Sequence, residues 1–505
     1  MKNCSRFRRY FSRISWSRDL DVFKKTFLIL LLTAGLSFCA KSNDDDPLLG
    51  FAGVAMGDPE IAAMLAGPAS ISLRAPDGGV NYFSGSNVYA GGPLPGETSA
   101  PMEFTITNTH EDNALLVWDL SFSGPAAGDY IVSSPPKSGL APGESTTFAV
   151  RFVPTAMGVR EATLTLKYNG DSTAERKLQF YGEPGVILRM VGKSYGKVKK
   201  GLYWNNGVIT TLPAIDETQS TSANAIAMSG SDVYIVGSSR NSAGVSQAVY
   251  WKNGTLFQLP GIDPAQHSGA GDIAISGTDV YISGYSVNAA GDQTAVYWKN
   301  GVRIGLSAAK SGAHCITVSH GDVYVGGFLL NGLLLEPVYW KNGTLITLPP
   351  LETGYGSGVS DISVFGSDVY LAGFASVRGR PTYGVYWLNG TIRAARYSST
   401  SNVYASAIDM SETGLTILTR ANDIFGTHGT SMLSRNGQSI ALERAPNRDH
   451  YNPRLANANS RAYEMAIHGD DVYSVGRQYR ANLWKNEKLF QISEMSLHDI
   501  VVTEN

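Results

Sequence analysis

Residues 231–260 read SDVYIVGSSRNSAGVSQAVYWKNGTLFQLP. Two short apolar segments, around Val233-Tyr234 and Tyr250-Trp251, are broken by turn residues. Asn253-Gly254 supplies the two positive-φ positions that a type I′ hairpin turn requires. The stretch then returns along the chain. Tyr203-Trp204, Tyr250-Trp251, Tyr297-Trp298, Tyr339-Trp340 and Tyr386-Trp387 recur, with degenerate copies at Met432-Leu433 and Leu483-Trp484. Asp-Val-Tyr followed three residues later by Gly recurs around Tyr234, Tyr281, Tyr324, Tyr370 and Tyr473. Short apolar strands recur at 226–228, 273–275, 316–318, 362–364, 408–410, 465–467 and 500–502.

The spacing of 42 to 51 residues, with four short strands per repeat, predicts an all-β chain ending in a β-propeller. A helical repeat would place apolar residues at i, i+3 and i+4, which these segments do not. Six complete cycles run from Ile226 to Leu489. The leading piece, 187–212, supplies the last three strands of a blade and the trailing piece, 498–502, supplies the first. This arithmetic predicts seven blades over residues 185–505, with one blade shared by both ends so that no edge is left open. The recurring Tyr, Trp, Ile and Val are expected to be core. Aspartates 232, 279, 322 and 368 recur at equivalent turns and read as turn formers. The strand order resembles kelch-type propellers, and the Tyr-Trp-Lys-Asn-Gly units resemble repeats of bacterial surface proteins.

Upstream, residues 68–184 alternate apolar and polar with turns every ten or so positions, predicting a β-sandwich. The segments 104–108 (FTITN), 123–130 (SGPAAGDY), 140–148 (LAPGESTTF), 151–156 (RFVPTA) and 162–166 (ATLTL) resemble the bacterial choice-of-anchor D type. That immunoglobulin-like family is related to ASPM/SPD-2/Hydin domains. The resemblance implies a spacer or interaction module.

Composition narrows the function classes. With 43% hydrophobic and 17% charged residues the chain is not disordered. Its single long apolar stretch, Thr26 to Phe38, follows eight basic residues and is shorter than the ~20 residues of a membrane span. Residues 1–38 therefore read as an export signal. Leu36-Ser37-Phe38-Cys39 resembles a bacterial lipobox, which implies lipidation at Cys39, a tether over 39–67 and contact with the membrane through that lipid anchor only. The acidic run Asp44-Asp45-Asp46 behind it resembles the surface-export signal of Bacteroidetes lipoproteins, with a periplasmic or secreted protein as the alternative. Cys315 alone remains in the body, so no internal disulfide forms. Residues 1–38 hold 8 of the 41 basic and 2 of the 43 acidic residues, leaving the remainder acidic by 8. That balance excludes a general nucleic-acid binder.

No metal-ligand spacing, nucleophile elbow, phosphate loop or cofactor motif occurs, and no catalytic residue is assigned. In a four-stranded meander the tight Gly-Ser-Asp and Asn-Gly turns share one face. The longer connections, such as 192–202, 237–248, 284–295, 373–384, 396–405 and 442–463, share the other. Loops on a rigid ring carry binding function. The candidate ligand-binding residues are Arg448, His450, Tyr451 and Arg454 in the longest loop, with Arg378, Arg380 and Tyr383 added by the loop near Ser376. Arginines there suit an anionic sugar or a carboxylate-bearing protein by bidentate contact. The expectation is a surface lipoprotein whose propeller binds protein or glycan. The alternatives are an extracellular propeller enzyme (polysaccharide lyase or glycosidase) and a purely structural envelope protein.

Overall fold

The computed structural model describes residues 69–504, apart from 75–81, 170–174, 424–428, 443–460, 478–480 and 494. The described residues form strands and turns, with one single-turn 3-10 helix at Ala127–Asp129. No helix among them is long and apolar enough to cross a membrane. Cys39 lies outside the described residues.

Residues 71–182 build two sheets. One orders Ile71–Arg74, Met102–Asn108, Ser145–Phe152 and Tyr130–Ser134. The other orders Ser86–Tyr89, Glu175–Gly182, Arg160–Tyr168, Leu115–Ser123 and Gly139–Leu140. Period-2 alternation turns one row of each sheet inward. Phe104, Phe148, Phe152 and Phe180 are fully buried between them. Phe104 stacks on Phe148 at 4.9 Å, and Phe180 meets Tyr130 edge-on at 5.5 Å.

From Val186 on, the described residues form seven four-stranded antiparallel sheets. Sheet I spans 221–258, sheet II 268–305, sheet III 311–347, sheet IV 357–396, sheet V 401–441 and sheet VI 461–493. Sheet VII joins 186–211 to the last strand, Met495–Glu504, which pairs antiparallel with Val186–Ser194. The first strands of successive sheets pack against one another, and that of sheet VI packs against Met495–Glu504, which packs in turn against Thr221–Ser229. The order is cyclic, which is the plan of a β-propeller. The strands run further than the motifs suggest. The connections expected at 237–248 and 284–295 shrink to 241–245 and 288–292.

The repeated residues are tied by side-chain chemistry. One Asn per sheet, from Asn206 to Asn486, adopts a positive φ of 42–53°. Its Oδ1 accepts the backbone N–H at the neighbouring hairpin, as Asn253 does from Val233 at 2.9 Å. In Asn253, Asn300, Asn342, Asn389 and Asn486 the Nδ2 donates to the hairpin aspartate, as Asn300 does to Asp279 at 2.7 Å, while Asn436 donates to Thr413 O. Lys252, Lys299 and Lys341 each reach the same aspartate at 2.8 Å and lie 5.1 Å above the Tyr of Asp-Val-Tyr. These pairs are exposed, so they set hairpin geometry more than stability. The lysine holds its aspartate below the usual carboxylate range.

Tryptophans fill the space between sheets. Trp251, Trp298, Trp340, Trp387 and Trp484 are completely buried, each removing roughly 150–250 Å² from water. The indole N–H of Trp251, Trp298 and Trp387 donates at 2.9 Å to Pro213, Pro260 and Pro349 of the preceding sheet. Trp and Leu-Pro are thus two halves of one inter-sheet joint.

Glu183, just after the last sandwich strand, is buried against sheet VI. It accepts from the Tyr473 hydroxyl at 2.8 Å and pairs with Lys485. Tyr89, Tyr181 and Phe490 pack beside it, joining both sheet systems in one apolar cluster.

Candidate functional site

Two places gather chemistry-bearing side chains: the axis on which the first strands converge, and the long-connection end of sheets IV and V.

At the axis, every first strand carries a β-bulge, whose extra residue is Asn224, Gly271, His314, Ser360, Ser406, Tyr463 or His498. The Gly of Asp-Val-Tyr-x-x-Gly faces this bulge. A Cβ on Gly237 or Gly327 would lie 2.0 Å from the carbonyl oxygen of Ser222 or Gly312. The bulged residue reaches the next sheet: Asn224 Nδ2 donates to Ala270 O at 2.8 Å, and His498 Nδ1–H to Ala223 O at 2.7 Å.

The residue after each bulge is Ala225, Asp272, Cys315, Asp361, Ala407, Glu464 or Asp499. Small and acidic residues alternate from sheet I to sheet VI. Because seven is odd, two acids, Glu464 and Asp499, meet at the end. Each aspartate bridges two sheets. Oδ1 accepts its own next N–H, and Oδ2 accepts that of Ile316, Ile408 or Ile226 at 2.7–2.8 Å. The four acids are set deep in the protein and half-buried. Burial pushes Asp272 up to about 6. Burial, reinforced by the neighbouring axial charges, also raises Asp361, Asp499 and Glu464. Burial likewise raises the Cys315 thiol, which is unreactive in that state. No group of three or more His, Cys, Asp or Glu among the described residues is placed to hold a metal ion. The aspartates are engaged by backbone donors, so their chemistry is joinery between sheets.

At the long-connection end, Arg378 and Arg380 flank the Gly379 hairpin of sheet IV. The Arg378 backbone N–H donates to Glu352 Oε2 at 3.0 Å, and its side chain is exposed. Exposed Arg380 donates through Nη1 to the Tyr383 hydroxyl at 3.3 Å. Tyr383 stacks on Tyr397 with ring centres 4.6 Å apart and planes 21° apart. Tyr397 is 47% exposed, so this pair presents an aromatic shelf at the surface. Arg396, at the end of the outer strand Thr391–Arg396, crosses to sheet V and donates through Nη2 to Thr430 Oγ1 at 3.1 Å. Farther in, the Arg420 guanidinium lies 4.9 Å over Tyr404.

Arg378, Arg380 and Tyr383 are therefore on one sheet corner. Arg448, His450, Tyr451 and Arg454 lie outside the described residues. The sequence reading missed Arg396, Tyr397 and Thr430. The connections expected at 373–384 and 396–405 shrink to 378–379 and 397–400, so Arg396 ends a strand and Tyr397 opens a four-residue connection.

No family model matches the chain, and no curated protein matches it. Among solved structures it is similar to a protein of unknown function from Porphyromonas gingivalis W83, at 18% identity over 23% of this chain and 48% of that one, with a TM-score of 0.18. It is similar to the β-propeller domain of the Trilobed protease from Pyrococcus furiosus, at 9% identity over 72% of this chain and 99% of that one, with a TM-score of 0.35. It is also similar to the acylaminoacyl peptidase of Pyrococcus horikoshii, at 10% identity over 80% and 57% of the two chains, with a TM-score of 0.34. The chain thus spans about half the length of the first and of the last of these.

Proposed function

We propose that this protein is an exported lipoprotein, anchored through Cys39, in which an immunoglobulin-like spacer over 68–184 holds out a seven-bladed propeller over 185–505 whose long-connection face binds glycan. The observation that carries this reading is the Tyr383–Tyr397 shelf beside Arg380. Two stacked, rigid rings offer apolar area at low entropic cost, and tyrosine hydroxyls and arginine N–H groups hydrogen-bond to sugar hydroxyls around it. Tyr383 packs on the core between sheets III and IV, but the exposed Tyr397 ring and the Arg380 guanidinium project beyond that packing, which favours a binding role over a purely structural one. The seven four-stranded sheets in cyclic order support the blade count, and the two facing sheets of 71–182 support the spacer.

The test is a glycan-array screen of the detergent-solubilised full chain beside Tyr397→Ala and Arg380→Ala. The expected result is a defined set of bound glycans whose signal falls about tenfold or more in Tyr397→Ala. Binding unchanged in both variants moves the site elsewhere. Binding only to proteins replaces the glycan class. Fractionation tests the anchor: Cys39→Ala is expected to leave the membrane fraction.

A further inference from the structure

We propose that the notch between the outer strands of sheets I and II docks a second protein, one that presents a carboxylate beside an aromatic ring. This chain's own sandwich fills the equivalent notch between sheets VI and VII with that chemistry. The site lies at the tight-turn end, away from the long connections, and does not depend on the glycan reading.

In sheet VI, Tyr473 pairs in register with Lys485 and Leu483 with Phe490. Paired residues share a sheet face. Tyr473, Leu483 and Phe490 join the apolar cluster that also holds Leu188 and Met190 of sheet VII. The sandwich closes over this face. Glu183 accepts from the Tyr473 hydroxyl at 2.8 Å and pairs with Lys485. The Tyr181 and Tyr89 rings lie 5.3 and 5.9 Å from that of Phe490. Asn87 Nδ2 donates at 2.8 Å to Leu489 O of the outer strand Lys488–Ser493. Phe490 is left with no exposed surface and Lys485 with 6%.

Sheet I repeats this set at the same register positions. Tyr234 pairs with Lys252 and Tyr250 with Phe257. Lys252 Nζ lies 5.1 Å from the centre of the Tyr234 ring, as Lys485 Nζ lies 5.4 Å from that of Tyr473. Asp232 pairs with Lys252 as Asp471 pairs with Lys485. Phe257 stacks on Tyr250 with ring centres 4.9 Å apart and planes 13° apart. Tyr234 and Tyr250 pack on the cluster that holds Ile273, Ile282 and Trp298 of sheet II, so the set faces that sheet. Here the set stays open: Phe257 is 41% exposed and the Lys252 side chain 39%. The residues in the Phe257 position of sheets II and III are the half-buried Ile304 and Ile346. Of these three sheets, sheet I alone joins the Lys-Tyr unit to an exposed ring.

The chemistry of the occupant follows from these residues. Lys485 holds Asp471 and Glu183 together, so a lysine in this unit has room for a carboxylate beyond the hairpin aspartate. Arg303 pairs in register with Trp298 and stands on the face of sheet II turned to sheet I. It supplies a second cation to the opposite wall and forms no ion pair with any described residue. An acidic side chain thus meets two cations, and a neighbouring aromatic ring meets Phe257 as Tyr181 meets Phe490. The sandwich of a second copy cannot serve, because Glu183, Tyr89 and Tyr181 are already buried in its own joint.

The test uses the peptide QFYGEPG, which copies residues 179–185 and is blocked at both ends, beside a counterpart with Gln in place of Glu. Each is titrated into the detergent-solubilised full chain and read by saturation-transfer NMR at the tyrosine ring protons. The notch at sheet VI is filled by the chain's own segment, so added peptide reports on sheet I. The expected result is saturable transfer, with the Gln peptide bound at least fivefold more weakly. Phe257→Ala is expected to abolish saturable transfer while keeping the native melting curve. Lys252→Met is expected to bring the affinity of the Glu peptide down to that of the Gln peptide. Neither variant is expected to alter glycan binding at the Tyr397 corner, so the two sites fail or stand separately. Absence of saturable binding by the native chain overturns the proposal. Equal affinity for the two peptides overturns it as well, as does binding that survives Phe257→Ala.

Discussion

The Asp499 carboxylate accepts the backbone N–H of Ile226 at 2.7 Å, across 273 residues of chain. The last strand is therefore held to sheet VII by its ladder and to sheet I by a side chain. Replacing Asp499 with Ala removes both acceptors from Ile226 and Ile500. Each buried N–H left unmet costs about 1–3 kcal/mol. The expected outcome is a lower urea midpoint, with early proteolytic release of the carboxy-terminal strand. Asp272→Ala, which unties sheets II and III in mid-ring, is expected to destabilise without exposing the terminus. If both variants lose the terminus equally, the Asp499 contact is not what seals the ring.

The axial acids also set a pH dependence. Asp272, Asp361, Asp499 and Glu464 all have folded values raised by burial, so the native state binds more protons than the unfolded chain. Their effect favours folding fully below the unfolded carboxylate value of about 4. It is lost as pH rises through the folded values, about 6 for Asp272 and about 7 for Asp361. Opposing this, Asp232, Asp279 and Asp322 are held low by lysine, and their smaller contribution disappears as pH falls below about 4. Thermal melts from pH 4 to 9 are expected to peak near pH 5 and to fall progressively towards pH 8. Asp272→Asn is expected to flatten the alkaline limb. A melting temperature that rises from pH 5 to 8 contradicts the axial arrangement.

The hairpin and inter-sheet motifs were legible because each is a local pattern repeated with its identity intact. Asn253-Gly254 states its own φ values, and Tyr-Trp with Leu-Pro states a core. The bulges were not legible. The residue that follows the bulge is Ala, Asp, Cys or Glu depending on the sheet, so no single letter repeats. The only trace is an acid directly before an apolar residue, in Asp272-Ile273, Asp361-Ile362, Glu464-Met465 and Asp499-Ile500. Gly237 and its counterparts were seen as a recurring letter, but their reason is the bulge carbonyl 2.0 Å from where a Cβ would stand. At the candidate corner, Arg380 and Tyr383 were read as loop residues, whereas the structure places both in the strand Arg380–Leu388. Arg396 was not read at all, because its contact is with Thr430, 34 residues away.

The buried ion pair that joins the sandwich to sheet VI predicts coupled unfolding. Burial alone would pull the Lys485 ammonium down, but Asp471 and Glu183 more than offset this and raise it. Glu183→Ala leaves Lys485 with Asp471 at 2.7 Å and strips the Tyr473 hydroxyl of its acceptor. Because one partner remains, the expected cost is about 2–3 kcal/mol, below that of a fully broken buried pair. Calorimetry is expected to resolve two transitions in the variant where the native chain has one. A single unshifted transition means that the apolar contacts of Tyr89, Tyr181 and Phe490 suffice.

Trp298 and Trp340 give a comparison within one molecule. Both are fully buried in equivalent positions of successive sheets. The Trp298 indole donates to Pro260 O at 2.9 Å, whereas the Trp340 indole N–H is buried and has no acceptor. The difference traces to the preceding sheet. Where Leu212, Leu259 and Leu348 are followed by Pro213, Pro260 and Pro349, Leu306 is followed by Ser307. Trp→Phe removes similar apolar volume at both sites. At Trp298 it also strands the proline carbonyl, while at Trp340 it removes an N–H that was already unmet. Trp298→Phe is therefore expected to destabilise by about 1–3 kcal/mol more than Trp340→Phe in urea melts. Equal losses mean that the indole-to-proline bond adds nothing beyond packing, and that the Leu-Pro half of the repeat acts through its backbone shape alone.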